Sequence, residues 1–236
     1  GTSRLGSVSG NLIGAVGHDV IGFSLTMIIF GVVSLLGVPL GWMGRRAVPH
    51  QEVDAKKQEG KRWSPELLFC GFVIGCVGPG MVMSTLGVVL KDTVGDSVSV
   101  FDVVIGVATL NGLLLSIRWI TDALGAPLLG AVSDKMGRRW ATIVYFVGGM
   151  TALFVASLVS NVILLVVCVL AFFACGVGLT VVMIAESGMR GSRSVATYVT
   201  ASDFGSAAGP MLGWLTLQMQ LSTDWIFLMG GGLYAA

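Results

Sequence analysis

Apolar runs of about twenty residues alternate with short polar breaks along almost the whole chain. Residues 4–22 form a short, Gly-rich segment, and 23–42 an apolar run ended by Arg45 and Arg46. Residues 46–63 (RAVPHQEVDAKKQEGKRW) are polar and charged. Ser64-Pro65-Glu66 then has the form of a helix start: serine as cap, proline at the first helical position, an acid in the first turn. That run reaches residue 90, and a polar loop, KDTVGDSVS, follows. Further runs cover 103–132, 140–159, 162–185 and 194–218, separated by SDKMGRR, a turn at Ser160-Asn161, and ESGMRGSR. After an STD turn, 225–236 begins a last run that stops short. Runs of this length and low charge predict membrane-spanning helices, eight in all.

Composition strengthens the pattern. Of 236 residues, 54% are hydrophobic and only 11% charged, against about 25% charged in an ordinary soluble domain. Mean hydropathy is +0.87. A net charge of +1 excludes a nucleic-acid binder, which needs a basic surface to track phosphates. Glycine is abundant, at 34 residues, while proline contributes only 6, a balance that suits closely packed membrane helices. Cys70, Cys76, Cys168 and Cys175 all sit inside apolar runs with no histidine near in sequence, so they are expected to be reduced core thiols, with no metal site. There is no G-x-x-x-x-G-K-(S/T), no H-E-x-x-H and no G-x-S-x-G string, so neither an ATP-driven machine nor an intramembrane hydrolase is expected, and no cofactor. The opening, GTSRLGSVSG, has no signal-peptide form and reads as the middle of something longer.

The positive charges set an orientation. By alternation of the spans, Arg4, Arg45, Arg46, Lys56, Lys57, Lys61, Arg62, Lys135, Arg138, Arg139, Arg190 and Arg193 fall on one side. Only Lys91 lies in a loop on the other, and Arg118 lies within a span. This bias makes the 46–63, SDKMGRR and ESGMRGSR loops cytoplasmic.

The most specific string is Gly125-Ala-Pro-Leu-Leu-Gly130-Ala-Val-Ser-Asp134-Lys-Met-Gly137-Arg138-Arg139. It resembles the G-x-x-x-D-(R/K)-x-G-R-(R/K) loop of the major facilitator superfamily, which joins the second and third helices of each six-helix half. Glu186, followed by Arg190 and Arg193, resembles the acid that ends the fourth helix of a half in that superfamily. Gly205-Ser-Ala-Ala-Gly209-Pro210-Met-Leu-Gly213 resembles its G-x-x-x-G-P-x-x-G fifth-helix pattern. Gly14 and Gly22 repeat the spacing of Gly205 and Gly213, each pair following an arginine. The early copy has His18 or Asp19 where the later one has Pro210.

The resemblance implies an all-α bundle of that superfamily's type, in which this chain supplies the fifth to twelfth helices. Residues 1–45 would be the last two helices of the N-terminal half, 46–63 the cytoplasmic linker, and 64–236 the C-terminal six-helix half with its last helix incomplete. The first four helices would be absent. It also implies that the fifth and eighth helices pack across the interface between halves.

Ionisable groups inside spans are costly and mark candidate sites. Arg118 and Asp122 are four apart on one helix face. Together with His18 and Asp19 they are expected to form a buried polar cluster at a central cavity, with Asp203 a separate carboxylate and Asn111 a further cavity candidate two turns from Arg118. Gly78-Pro79-Gly80 is expected to break or kink the seventh helix as a hinge, and Gly209-Pro210 to bend the eleventh. The loop of Gly130, Asp134, Gly137, Arg138 and Arg139, with Glu186, Arg190 and Arg193, would form an inside latch, Asp134 approaching the start of the helix near Arg4. The function these features predict is a multi-pass secondary transporter of the cell membrane, monomeric, with a small-molecule substrate and protons as its partners. Efflux of mostly apolar molecules leads. The alternative is uptake of an organic anion or metabolite, with Arg118 binding its carboxylate.

Overall fold

The computed structural model describes residues 2–44, 65–100, 103–159 and 161–236. The linker expected at 46–63 and the capping serine at 64 lie outside them. Among the described residues there are eight helices: α1 (Thr2–Ile21), α2 (Phe23–Gly44), α3 (Pro65–Val94), α4 (Val107–Met136), α5 (Arg138–Ala156), α6 (Val162–Met189), α7 (Ser192–Gln218) and α8 (Asp224–Ala235). Their boundaries follow local chemistry. Pro65 opens α3 with Glu66 in its first turn. Asn161 caps α6, its side chain accepting from the amides of Ile163 (2.9 Å) and Leu164 (3.3 Å). Gly137 alone separates α4 from α5, with φ 86°, a conformation open to glycine at no steric cost.

Four helices, α3 to α6, are long and apolar enough to cross a membrane. Helices α1 and α7 are comparable in length but are diluted by Gly, Ser, Thr and Asp. Large apolar side chains stand outward all around the bundle, including Ile28 and Val33 on α2, Leu128 on α4, Ile143 on α5, Ile163 on α6 and Met211 on α7. An outward apolar belt of this kind is what a hydrocarbon solvent requires.

Two expectations are corrected at the outer ends of α3 and α4. The stretch after residue 90 is not simply a polar loop: α3 continues to Val94, and Ser97–Val100 (β1) pairs antiparallel with Val103–Gly106 (β2), Val98 opposite Ile105. The fourth span therefore starts at Val107 instead of 103. The β-branched run of valines and isoleucine favours extended backbone, and Gly106, extended at φ −65°, ψ 147°, ends it where the helix begins. The expected equivalence of Gly22 with Gly213 also fails. Gly22 is the single-residue link between α1 and α2, with φ 83°, whereas Gly213 lies mid-helix against Thr85 and Met81.

Glycines decide how the helices meet. Helices α3 and α7 run parallel, and Gly71, Gly75 and Gly80 face Ala201, Gly205, Gly209 and Gly213. A Cβ on Gly209 would strike the Cys76 carbonyl and come within 2.6 Å of the Gly80 Cα, so the backbones touch, as small residues four apart allow. On α5 and α6, Gly178 lies beneath the Tyr145 ring and Gly149 beneath the Tyr234 ring. The shared core is built from Val77, Met81, Leu86, Leu153, Phe172, Leu179 and Phe227.

Helix α1 packs antiparallel on the outer half of α4 and pairs with α2 across their one-residue turn. The residue pairs set the register: Asp19 meets Thr109, Asn11 and Ala15 meet Gly112, and the Ser116 hydroxyl donates to the Val8 carbonyl at 3.2 Å.

Candidate functional site

Two helices contain a wide segment, one of them buried in the interior. Residues Cys76–Val82 of α3 are π-helical, the Met83 amide reaching back to the Gly78 carbonyl. The proline here lacks an N–H and its ring crowds the preceding turn, and one wide turn accommodates both defects. Gly78-Pro79-Gly80 thus neither breaks the helix nor ends it: α3 continues to Val94. The second wide segment, Thr121–Gly125 in α4, contains Asp122. Such segments recur at functional sites because they re-aim side chains and leave carbonyls less tightly held. Pro210 lies inside α7, which continues through it to Gln218.

The wide segment of α3 borders a cavity of about 150 Å³ among α3, α4, α6, α7 and α8. Among the described residues Arg118 is the single charged one lining it. Its guanidinium lies 4.8 Å from the Trp119 ring centre and 5.6 Å from that of Phe173, stacking that stabilises a cation held away from water. Hydroxyls of Thr180, Ser202 and Tyr234 share the wall with Gly78, Pro79 and Phe172. Tyr234 is only 6% exposed, its ring held against Phe146 and Phe172. Its hydroxyl is buried with no hydrogen-bond partner among the described residues.

A second cavity, of about 400 Å³, lies at the outer ends of α1, α3 and α4 and is lined by His18, Asp19, Gly87, Lys91, Asp96, Val107, Ala108 and Asn111. Here Asp19 caps a helix that is not its own. One carboxylate oxygen accepts from the Thr109 amide (2.8 Å) and from its hydroxyl (2.6 Å), and the carboxyl lies over Gly106, where any Cβ would collide with it. This places a negative charge on the positive end of α4. His18 stands beside it, Nδ1 3.4 Å from its second oxygen. Lys91 pairs with Asp96 at 2.8 Å.

The expected four-residue cluster is therefore divided. Arg118 lines the inner cavity, and His18 and Asp19 the outer one. Asp19 meets α4 at Thr109, nine residues before Arg118 and so about 13 Å along the helix. The reason is offset: with Val8 level with Ser116, α1 begins level with about residue 122 and not with the cytoplasmic end of α4, so its residues 18 and 19 lie beyond Arg118 toward the outer end. Asn111 joins the outer group, facing Gly87, instead of extending the site of Arg118. Asp122, half-buried, and Asp203, exposed on α7, line neither cavity.

The charged loops gather at the opposite end. Lys135, Arg138, Arg139, Arg190 and Arg193 lie where α4 and α6 end and α5 and α7 begin, while Lys91 lies at the other end. Asp134 pairs with Arg138 (3.6 Å), Glu186 with Arg190 (2.9 Å), and the Arg138 guanidinium reaches the Met189 sulfur. The latch expected between Asp134 and the start of the first helix is not formed. With Val8 level with Ser116, Thr2 lies level with about residue 122, and Asp134 is about 18 Å further along α4. Gly130 packs on Val181 of α6, and the Ser133 hydroxyl meets Tyr145 at 3.2 Å, so the loop ties α4 to α5 and α6.

Thr180, Ser202, Tyr234, Phe172 and Phe173 were not among the residues singled out from the sequence. Hydroxyls and aromatics are ordinary in apolar helices, and only the convergence of five helices gives these a common wall. No protein-family model matches the chain, and no curated protein is similar to it.

Proposed function

We propose that the protein is a multi-pass integral membrane protein of the major facilitator type, a secondary transporter that moves a small molecule by alternating access coupled to protons. The observation that carries this reading is the inner cavity: a charged arginine and three hydroxyl-bearing residues enclosed among five helices, three of which, α3, α4 and α6, are long and apolar enough to cross a membrane. A charge in such a place is costly and is retained where it meets a solute or an ion. Two further features support it. The cavity is bordered by the π-helical Gly78-Pro79 segment, a place where α3 can flex. Asp19 clasps α1 to α4 at the outer end, a contact that would open when two groups of helices rock about a midplane site.

Efflux of a small, largely apolar solute is the direction this reading gives; the lipid-like walls of Phe172, Phe173 and Pro79 favour such a cargo. Uptake of an organic anion is the second reading, favoured by the cationic Arg118 in the wall. Reconstitution of the full chain in proteoliposomes with an imposed proton gradient tests the function. Uphill movement of solute that collapses with a protonophore is the expected result. Solute movement indifferent to the gradient would remove proton coupling.

A further inference from the structure

The room inside the inner cavity and the one hydrogen-bonding group left unused beside it define a class of ligand. This inference rests on the transport reading only for what happens after binding. The cavity measures about 150 Å³, the size that holds one benzene ring. Two glycines make that room. A Cβ on Gly176 would have nothing within 4 Å, and one on Gly78 would touch the Phe172 ring at 3.9 Å. Phe172, Phe173 and Pro79 supply apolar faces around the space. Arg118 is already engaged, its guanidinium stacked on Trp119 and Phe173, so the wall makes no call for a counter-charge. The Thr180 hydroxyl is spent on the Gly176 carbonyl at 2.9 Å. Tyr234 is different. It lines the cavity and is 6% exposed, and its hydroxyl has no hydrogen-bond partner among the described residues. A buried polar group left unpaired is costly, and a hydroxyl can both donate and accept, so a single neutral hydroxyl on a ligand satisfies it.

We propose that this cavity binds a small uncharged aromatic molecule carrying one hydroxyl, the phenol class. Its ring lies among Phe172, Phe173 and Pro79, in the space that Gly78 and Gly176 leave open. Its hydroxyl shares a hydrogen bond with that of Tyr234. The probe is para-fluorophenol. Fluorobenzene is its counterpart without the hydroxyl, and para-fluorobenzoate its charged counterpart.

The experiment titrates the full chain in detergent with each probe and follows the bound resonance by fluorine NMR. Gly176→Val places a side chain in the ring's space and reports the background of probe dissolved in the micelle. A saturable resonance is expected for para-fluorophenol, about threefold to tenfold tighter than for fluorobenzene, the worth of one ordinary hydrogen bond. Tyr234→Phe is expected to bring the two probes level, and Gly176→Val to remove saturable binding of both. No saturable binding of para-fluorophenol, as for a cavity that holds water alone, would overturn the proposal. So would equal binding of para-fluorophenol and fluorobenzene, or tighter binding of para-fluorobenzoate than of para-fluorophenol. These comparisons use the unsubstituted protein and require no variant to fold. A preference for the hydroxyl that survives in Tyr234→Phe, or binding that survives in Gly176→Val, would overturn it as well. The proteoliposome assay separates the two claims. Phenol bound but never driven uphill sustains the site and removes transport, whereas proton-driven movement of other solutes without para-fluorophenol binding removes the site and sustains transport.

Discussion

At Asp19 a single carboxylate oxygen takes both hydrogen bonds that Thr109 can offer, and in doing so ties the end of α1 to the beginning of α4. Asp19→Ala should cost about 1 kcal/mol, the usual worth of a helix cap. Amide exchange should quicken at Val107–Thr109 and not in α5 or α6. Asp19→Asn keeps an acceptor and should retain most of the protection; equal exchange in all three proteins would show that the cap does not hold the helix start. Gly137 offers a second test at this scale. Its φ of 86° makes Gly137→Ala unfavourable by about 1 kcal/mol. Gly188→Ala, inside α6 with open space around the new methyl, should instead be neutral or raise the melting temperature.

Among the elements, the contact between α3 and α7 depends most sharply on side-chain size. Gly205 and Gly209 lie against the backbone of Phe72, Cys76 and Gly80, and backbone cannot move aside as a flexible side chain can. Gly209→Ala should therefore destabilise by more than an ordinary overpacking of about 1–3 kcal/mol, seen as loss of the monodisperse peak in size-exclusion chromatography. Gly176→Ala on α6, with nothing within 4 Å of the new methyl, is the matched control. The π-helical turn at Cys76–Val82 belongs to this scale too. Pro79→Ala restores an amide donor and should straighten the segment toward ordinary α-helix, raising thermal stability while slowing solute movement; faster movement would argue against a hinge there.

For the molecule as a whole, proton coupling needs a group that can change its charge within the span. The candidate is Asp122, half-buried in the second wide segment and one turn from Arg118. Asp122→Asn is expected to abolish proton-driven transport. Coupled transport at the unsubstituted rate would exclude Asp122 as the carrier. The exposed pairs at the other end, Asp134–Arg138 and Glu186–Arg190, are worth a few tenths of a kcal/mol each. Breaking either should scarcely alter the melting temperature.

Much of this was legible in the residues themselves. The alternation of apolar runs with short polar breaks determined eight helices and most of their ends, because length and charge decide what a helix can bury. Gly137 and Asn161 announced their turns by the backbone and capping chemistry that they alone supply cheaply. The glycines of α7 announced a close contact, though not that α3 would be the partner. What the sequence could not determine was which polar residues meet. Depth along a helix is a distance in one dimension, and whether His18 and Asp19 reach Arg118 depends on the direction and offset of α1 against α4. That offset is set by the fit of Gly112 against Asn11 and Ala15, a packing event between residues about a hundred positions apart. The same convergence brought Tyr234, Thr180 and Ser202 around Arg118, and so only the tertiary structure could set an intramembrane arginine into the wall of a shared cavity.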